Sequence, residues 1–251
     1  MSPRSSRPAA VDVFSDAELD GLPDPVCRYL RAAIAPDTPL VPSAILRMRG
    51  AIKLRNRWLR FRARELLAPN EGFVWDGRVT GVIVGSDRYE HHRGSMKWKL
   101  FGVIPVARGD GRDVSRSAAM RSGGEAMWVP TALLPRFNVS WSADDDTHLT
   151  ARSSVDQIPI EVHYTLDAAG RVRSIVFGRW GDPDSTGTWA MHPFGAEVSE
   201  YATFGGISIP SAGSAGWFYG TDRWPDGRFF RFEITDLHLA REAGGGALLR
   251  R

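Results

Sequence analysis

From Ser43 to Leu67 apolar side chains recur at every second position, and no other feature constrains the chain as much. Leu46, Met48, Gly50, Ile52 and Leu54 form one row, and Arg47, Arg49, Lys53 and Arg55 stand between them. Side chains alternate across a strand, so a period of two means a strand with one face buried. After a turn at Asn56 the pattern resumes, with Leu59, Phe61, Ala63 and Leu67 set against Arg60, Arg62 and Arg64. The two runs predict an antiparallel hairpin with an arginine-covered outer face. One acid, Glu65, falls in the otherwise apolar inner row.

Shorter runs of the same kind occur at 73–75, 81–84, 96–100, 137–141, 148–152 and 160–166. The turn Asp167-Ala168-Ala169-Gly170 joins the last of these to 172–180, and a residue near Trp189 with segments 197–204, 207–209, 214–219 and 229–239 continues the meander. Helical signals are few. Ser15 precedes Glu18 at capping-box spacing, and Asp24-Pro25 opens a second short helix through Val26, Tyr29, Leu30 and Ile34, stopped by Pro36 and Pro39. Helix is favoured again from Asp113 to Arg121, and Gly123-Gly124 is expected to break it. The apolar, proline-bounded stretch 125–135 then reads as a short helix or turn packed on the sheet as a plug. A sheet of about ten strands rarely stays flat. The expected fold class is therefore mainly β with a few helices: a single curved antiparallel sheet, a half-barrel or incomplete barrel, wrapped around a short helical plug. It is expected to occupy 14–241, with flexible ends at 1–13 and 242–251.

Nine Trp and twelve Phe in a chain that is 43% hydrophobic are enough for a large core, and such rings suit the inner face of a sheet. A net charge of only +3 makes nucleic acid a disfavoured partner. Cys27 is the sole cysteine, which excludes an internal disulfide and a cysteine-based zinc site. Its helical context beside Val26 and Tyr29 marks a packed thiol. No apolar run is long enough to cross a bilayer as a helix, and the N-terminus lacks the apolar core of a secretory leader, so a cytoplasmic location is expected. Neither a G-x-S-x-G elbow, a P-loop nor a G-x-G-x-x-G stretch occurs. Glu90-His91-His92-Arg93 invites a metal, but adjacent histidines on a strand point to opposite faces. His148, His163, His192 and His238 are scattered singly, with solvated surface as their default. Neither a metal nor a cofactor is expected.

Residues 22–30 (Leu-Pro-Asp-Pro-Val-Cys-Arg-Tyr-Leu), 125–134 (Glu-Ala-Met-Trp-Val-Pro-Thr-Ala-Leu-Leu), Gly178-Arg179, and Ile209-Pro210 followed by Trp217 together resemble an uncharacterised bacterial family, a domain of unknown function. The resemblance spans about 20 to 240. That family is similar to the lipoprotein-carrier half-barrels of the LolA/LolB kind, which implies a curved antiparallel sheet wrapping helices around an apolar cavity for acyl chains. No lipidation cysteine stands near the start, so lipoprotein transport itself is not carried over.

Glu125, Glu65 and Arg179 are charged residues in apolar surroundings, where an unpaired charge costs several kcal/mol. They are read either as a Glu–Arg pair anchoring the plug or as groups facing a ligand. Arg179 shares a register with Ile175 and Phe177, faces inward, and suits a carboxylate or phosphate head group. Phe61, Trp75, Trp128, Trp141, Trp189 and Trp217 are the expected cavity rings. The leading reading is a carrier or binder of an apolar, lipid-like small molecule, in preference to an enzyme using Glu125 as acid or base. A further reading is a structural or membrane-surface module acting through Arg47, Arg49, Lys53, Arg55, Arg60, Arg62 and Arg64, whose concentration on one hairpin suits an anionic membrane surface.

Overall fold

The computed structural model describes residues 12–240. Among them thirteen strands form one antiparallel sheet in the order β6-β5-β4-β3-β2-β1-β13-β12-β11-β10-β9-β8-β7. The first six are β1 (Ala44–Leu54), β2 (Arg57–Ala68), β3 (Gly72–Val79), β4 (Ile83–Glu90), β5 (Arg93–Leu100) and β6 (Ile104–Gly109). The remainder are β7 (Ser140–Ala143), β8 (His148–Val155), β9 (Ile158–Leu166), β10 (Val172–Gly181), β11 (Ala190–Phe204), β12 (Ile207–Trp217) and β13 (Arg228–Leu239).

The chain enters mid-sheet, meanders to the β6 edge, crosses to the opposite edge at β7, and returns until β13 pairs with β1. That crossing carries the helical plug: α2 (Arg112–Gly124), then three 3-10 turns, Glu125–Trp128, Pro130–Leu133 and Pro135–Phe137. Helix α2 touches β3, β4 and β5 on one side and β8, β9 and β10 on the other. One helix can meet strands so far apart in the sheet only if the sheet curls around it, and the curl leaves β6 and β7 as unjoined edges. The expected open half-barrel is observed.

The first hairpin keeps its expected register, with Leu46 opposite Glu65, Met48 opposite Ala63 and Ile52 opposite Leu59. Its turn residues, Arg55 and Asn56, have φ of 45° and 63°, the left-handed pair that a two-residue hairpin needs. Helix α1 (Asp24–Ala33) buries Val26 and Leu30 and packs on β7 and β12. Cys27 is buried, its thiol directed at the carbonyls of Leu19 and Leu22.

Several expectations are corrected. Gly123 and Gly124 do not break α2. A Cβ on Gly124 would lie 2.1 Å from the Phe177 ring and one on Gly123 2.9 Å from Ile160, so the glycines let the helix end press onto the sheet. Segment 137–141 is not one strand, because a 3-10 turn runs to Phe137 and β7 begins at Ser140. Gly81 lies in a turn, and β6 escapes notice because all but its last residue are exposed and leave no alternation. Ser15 makes no capping bond to its 3-10 helix. Of the termini expected to be flexible, Asp12 and Val13 are tied to residues 39–40 by a β-bridge and a backbone bond, and the rest of 1–13 and all of 242–251 lie outside the described residues. His91 and His92 occupy the β4–β5 turn, with φ of 51° and 63°, rather than a strand.

Candidate functional site

The concave side of the sheet differs along its length. At the β7–β10 end the expected rings meet in closed packing: Trp141 lies 5.8 Å from Tyr29 and 5.5 Å from Tyr164, and its indole N–H donates to the Leu133 carbonyl at 2.9 Å. Trp128 packs edge-on against Phe232 at 5.1 Å and donates to the Pro210 carbonyl. Both were expected to line a cavity, and neither lines the two spaces described below: Trp141 is closed over by Tyr29 of α1, and Trp128, on the first 3-10 turn, is buried against β12 and β13.

At the β1–β5 end lies an apolar groove of about 700 Å³. Ile52, Leu59, Val79 and Ile83 form its walls with Phe230, and the indoles of Trp75 and Trp98 lie over its floor. The floor can hold two large rings because it is glycine beneath them: a Cβ on Gly77 would come within 2.5 Å of Trp75, and one on Gly85 within 2.3 Å of Trp98. Phe61 stacks on Phe230 at 5.0 Å behind this wall without facing the groove.

The inner end of the groove is charged. Arg121, in the last turn of α2, reaches three carboxylates: Glu125 at 2.8 Å, Glu65 at 3.3 Å and Asp87 at 3.4 Å. Its guanidinium lies 4.3 Å from the centre of the Phe73 ring. Burial disfavours its charge, and the carboxylates of Glu125, Glu65 and Asp87 outweigh that, so its pKa is raised. Asp87 also accepts the Trp98 indole N–H at 2.8 Å. Glu65 is 0% exposed. Burial, and next the charge of Glu125, hold its pKa well above the ordinary 4.5. One oxygen of Glu65 and one of Glu125 are buried without a hydrogen-bond donor. A proton on Glu65 would supply that donor toward Glu125.

Among the described residues Arg179 has no carboxylate partner. Its guanidinium sits 4.7 Å from the Phe194 ring centre and 5.0 Å from that of Trp217, and its buried Nε makes no hydrogen bond. Burial, then Arg121, push its pKa down to about 9, which leaves it charged near neutrality. With Trp189, Asp87 and Arg121 it lines a hollow of about 170 Å³ that shares Asp87, Met96 and Arg121 with the groove.

Sequence reasoning thus placed Glu65, Glu125, Arg179, Trp75, Trp189 and Trp217 around one charged and aromatic centre. It missed Arg121, the cation that organises the centre, and the anchoring pair joins Glu125 and Glu65 to Arg121 rather than to Arg179. Asp87 was missed because β4 runs on to Glu90, so that Ile83, Gly85, Asp87 and Tyr89 share the inner row.

On the convex face Arg49 binds Glu233 through both nitrogens at 2.8 and 2.5 Å, and Arg47 lies 3.8 Å from Asp236. Arg60, Arg62 and Arg64 make no ion pair among the described residues, and Lys53 and Arg55 lie toward the β1–β2 turn. Among the described residues no group of three His, Cys, Asp or Glu side chains is placed to hold a metal ion. Across the curl of the sheet, Asp156 of the β8–β9 turn accepts the Tyr89 hydroxyl at 2.6 Å and meets His92 at 2.7 Å. This clasp draws the β4–β5 and β8–β9 corners together.

The geometry defines a class: an incomplete antiparallel barrel with an apolar groove on its concave side and a buried charged centre at the inner end. The chain belongs to the family of unknown function DUF6544, whose profile matches residues 12–229. No curated protein matches it. Similar solved structures include a domain named for outer membrane lipoprotein sorting from Vibrio parahaemolyticus, 11% identical with a TM-score of 0.41, covering 83% of this chain and 92% of that one. A LolA superfamily protein from Nitrosomonas europaea is 10% identical with a TM-score of 0.44, over 87% and 93% of the two chains. A DUF1329 family protein from Desulfovibrio piger is 9% identical with a TM-score of 0.46, over 90% and 96%. The expected cytoplasmic location does not stand beside these matches, one of which is named for the outer membrane. The expectation rested on a missing leader-like stretch, a property of a chain's end that the fold does not carry.

Proposed function

We propose that the protein binds and carries a single-chain, lipid-like amphiphile, with its hydrocarbon in the groove and its anionic head in the adjoining hollow beside Arg179. The observation that carries this reading is the adjacency of two spaces that share Asp87, Met96 and Arg121, an apolar one of about 700 Å³ and a charged one of about 170 Å³. The first falls within the roughly 300–1,000 Å³ range of small-molecule sites. Ile83 at the mouth is four residue steps along β4 from Asp87, about 13 Å at ~3.3 Å per residue. Each methylene withdrawn from water contributes about 0.8 kcal/mol, so affinity rises roughly tenfold for every two carbons until the groove is full. Arg179 is an unsatisfied cation whose pairing with a carboxylate or phosphate adds charge-assisted hydrogen bonds.

The test is titration of the purified protein with fatty acids and alkyl phosphates of increasing length, read by tryptophan fluorescence and calorimetry. Saturable one-to-one binding that strengthens with length and is lost in Ile83→Trp, which fills the groove, is the expected result. Binding that ignores both chain length and Ile83→Trp overturns it.

A further inference from the structure

The groove mouth is ringed by hairpin tips whose composition differs from the rest of the surface. In an up-and-down meander alternate turns share one end of the sheet, and here these are the turns β1–β2, β3–β4 and β5–β6. They are tied side by side, with the Thr80 N–H donating to the Arg60 carbonyl and the Phe101 N–H to the Val82 carbonyl, both at 2.8 Å. Of the large apolar residues exposed among the described residues, Leu54, Val82, Phe101, Val103, Ile104 and Val106 all lie on these tips and on edge strand β6. Phe101 is 67% and Val103 70% exposed. The β3–β4 and β5–β6 turns are three-residue loops, 80–82 and 101–103, in which the Val82 N–H returns to the Val79 carbonyl and the Val103 N–H to that of Leu100. Phe101 takes a left-handed φ of 51°, a turn position that Asn or Gly fills at lower cost. Folding alone gives no reason for an aromatic ring there.

Charge sets the kind of partner. The segments 52–60, 78–84 and 97–108 contain Lys53, Arg55, Arg57, Arg60, Arg78, Lys97, Lys99 and Arg108, and no acid at all. Of these, Arg108 is paired, with Asp110 just beyond the segment. Asp184 and Asp226, on the loops before β11 and β13, adjoin Lys53 and Arg55 at one side of the collar, and Asp184 is engaged by Arg223. Exposed apolar tips within a cationic collar match the interface of an anionic bilayer, where hydrocarbon accepts the apolar side chains and lipid head groups meet the lysines and arginines. We infer that the protein docks on anionic phospholipid membranes through these three tips, Phe101 and Val103 leading, with the groove mouth facing the bilayer. Leu54, Arg55, Arg57 and Val106 belong both to the collar and to the groove lining, so docking brings the opening against lipid. The docking itself requires no bound ligand.

The test is flotation of the full chain with vesicles of phosphatidylcholine containing 30 mol% phosphatidylglycerol, and with phosphatidylcholine alone. Recovery with anionic vesicles is expected, falling at least tenfold in the double variant Phe101→Asp/Val103→Asp and severalfold in Lys97→Glu/Lys99→Glu. The pair Arg62→Glu/Arg64→Glu, outside the collar and farther from the tips on the convex face, changes it less than twofold. All these side chains are exposed, so thermal melting is expected to match the parent. Ile83→Trp, which obstructs the groove, keeps vesicle binding, which separates failure of docking from failure of ligand binding. Three outcomes overturn the inference: no recovery by the parent chain, equal recovery by Phe101→Asp/Val103→Asp, or loss confined to Arg62→Glu/Arg64→Glu. A fourth is light scattering that shows a dimer abolished by Phe101→Asp/Val103→Asp, since the patch would then serve a second copy of the chain.

Discussion

The two ends of the concave face carry the same kind of strand and end up as different materials. Over β7–β10 the rings of Trp141 and Tyr164 close on Tyr29 of α1, whereas over β1–β5 Trp75 and Trp98 lie over Gly77 and Gly85 and line the groove. The difference lies in what covers the sheet. The first helix and the 3-10 turns lie on one half, whereas α2 lies against β5 from its first turn, where Ser115 accepts the Gly94 N–H, to its last, where Arg121 is, and the groove opens beyond Arg121. A solid core and a groove can therefore come from one hydrophobic pattern, with the covering elements deciding which forms.

The sharpest way to break this comparison is to truncate a ring on each side. Trp141→Ala is expected to destabilise by about 3–5 kcal/mol, the cost of a cavity in close packing, and Trp98→Ala by no more than about 1 kcal/mol. Urea midpoints compare them, and equal losses would mean that the groove half is as solid as the other. Next in size, Arg121→Met strands the buried Glu65 and the half-buried Glu125 and Asp87 and is expected to cost about 3 kcal/mol in the same assay. A loss below ~1 kcal/mol would show the carboxylates to be solvated.

The proton on Glu65 gives a third measurement. Because its folded pKa is raised, the folded state keeps a proton that the unfolded chain releases above the ordinary value of 4.5. Stability therefore falls as pH climbs past that value and levels off only above the folded pKa, with a slope of at most about 1.4 kcal/mol per unit. In Glu65→Gln, a neutral donor throughout, this slope is expected to vanish, so parent and variant agree near pH 4 and diverge toward pH 7 in the variant's favour. Parallel curves would show that Glu65 is ionised in the folded protein. The smallest effect concerns the ligand. Arg179→Ala is expected to weaken alkyl phosphate or fatty acid binding about tenfold, roughly 1.4 kcal/mol, while leaving the uncharged alcohol of the same length unchanged. Equal weakening of acid and alcohol would place the head group elsewhere.

The sheet was legible because Leu46 to Leu67 repeats with period two, and that period fixes the register of β1 against β2 as well as the inward positions of Glu65 and Arg179. The β6 strand was not legible, because an edge exposed on both faces has no alternation to read. Arg121 was hidden for a different reason. A lone arginine in a helix that also holds Arg112 and Arg116 looks solvated, and only the crossing of the chain between the two sheet edges carries it to Glu65. Nor could the sequence divide its tryptophans between core and groove, since that depends on α1, more than a hundred residues from Trp141.

The clasp at Asp156 pins the curl of the sheet by tying the β8–β9 turn to Tyr89 and His92. If the proposed amphiphile enters beside Ile83, its head must pass the length of the groove to reach Arg179. A guest whose polar group rests beside Arg179 would have travelled inward head first and would depart tail first. Its hydrocarbon would point toward the doorway throughout, ready to rejoin a leaflet without turning over.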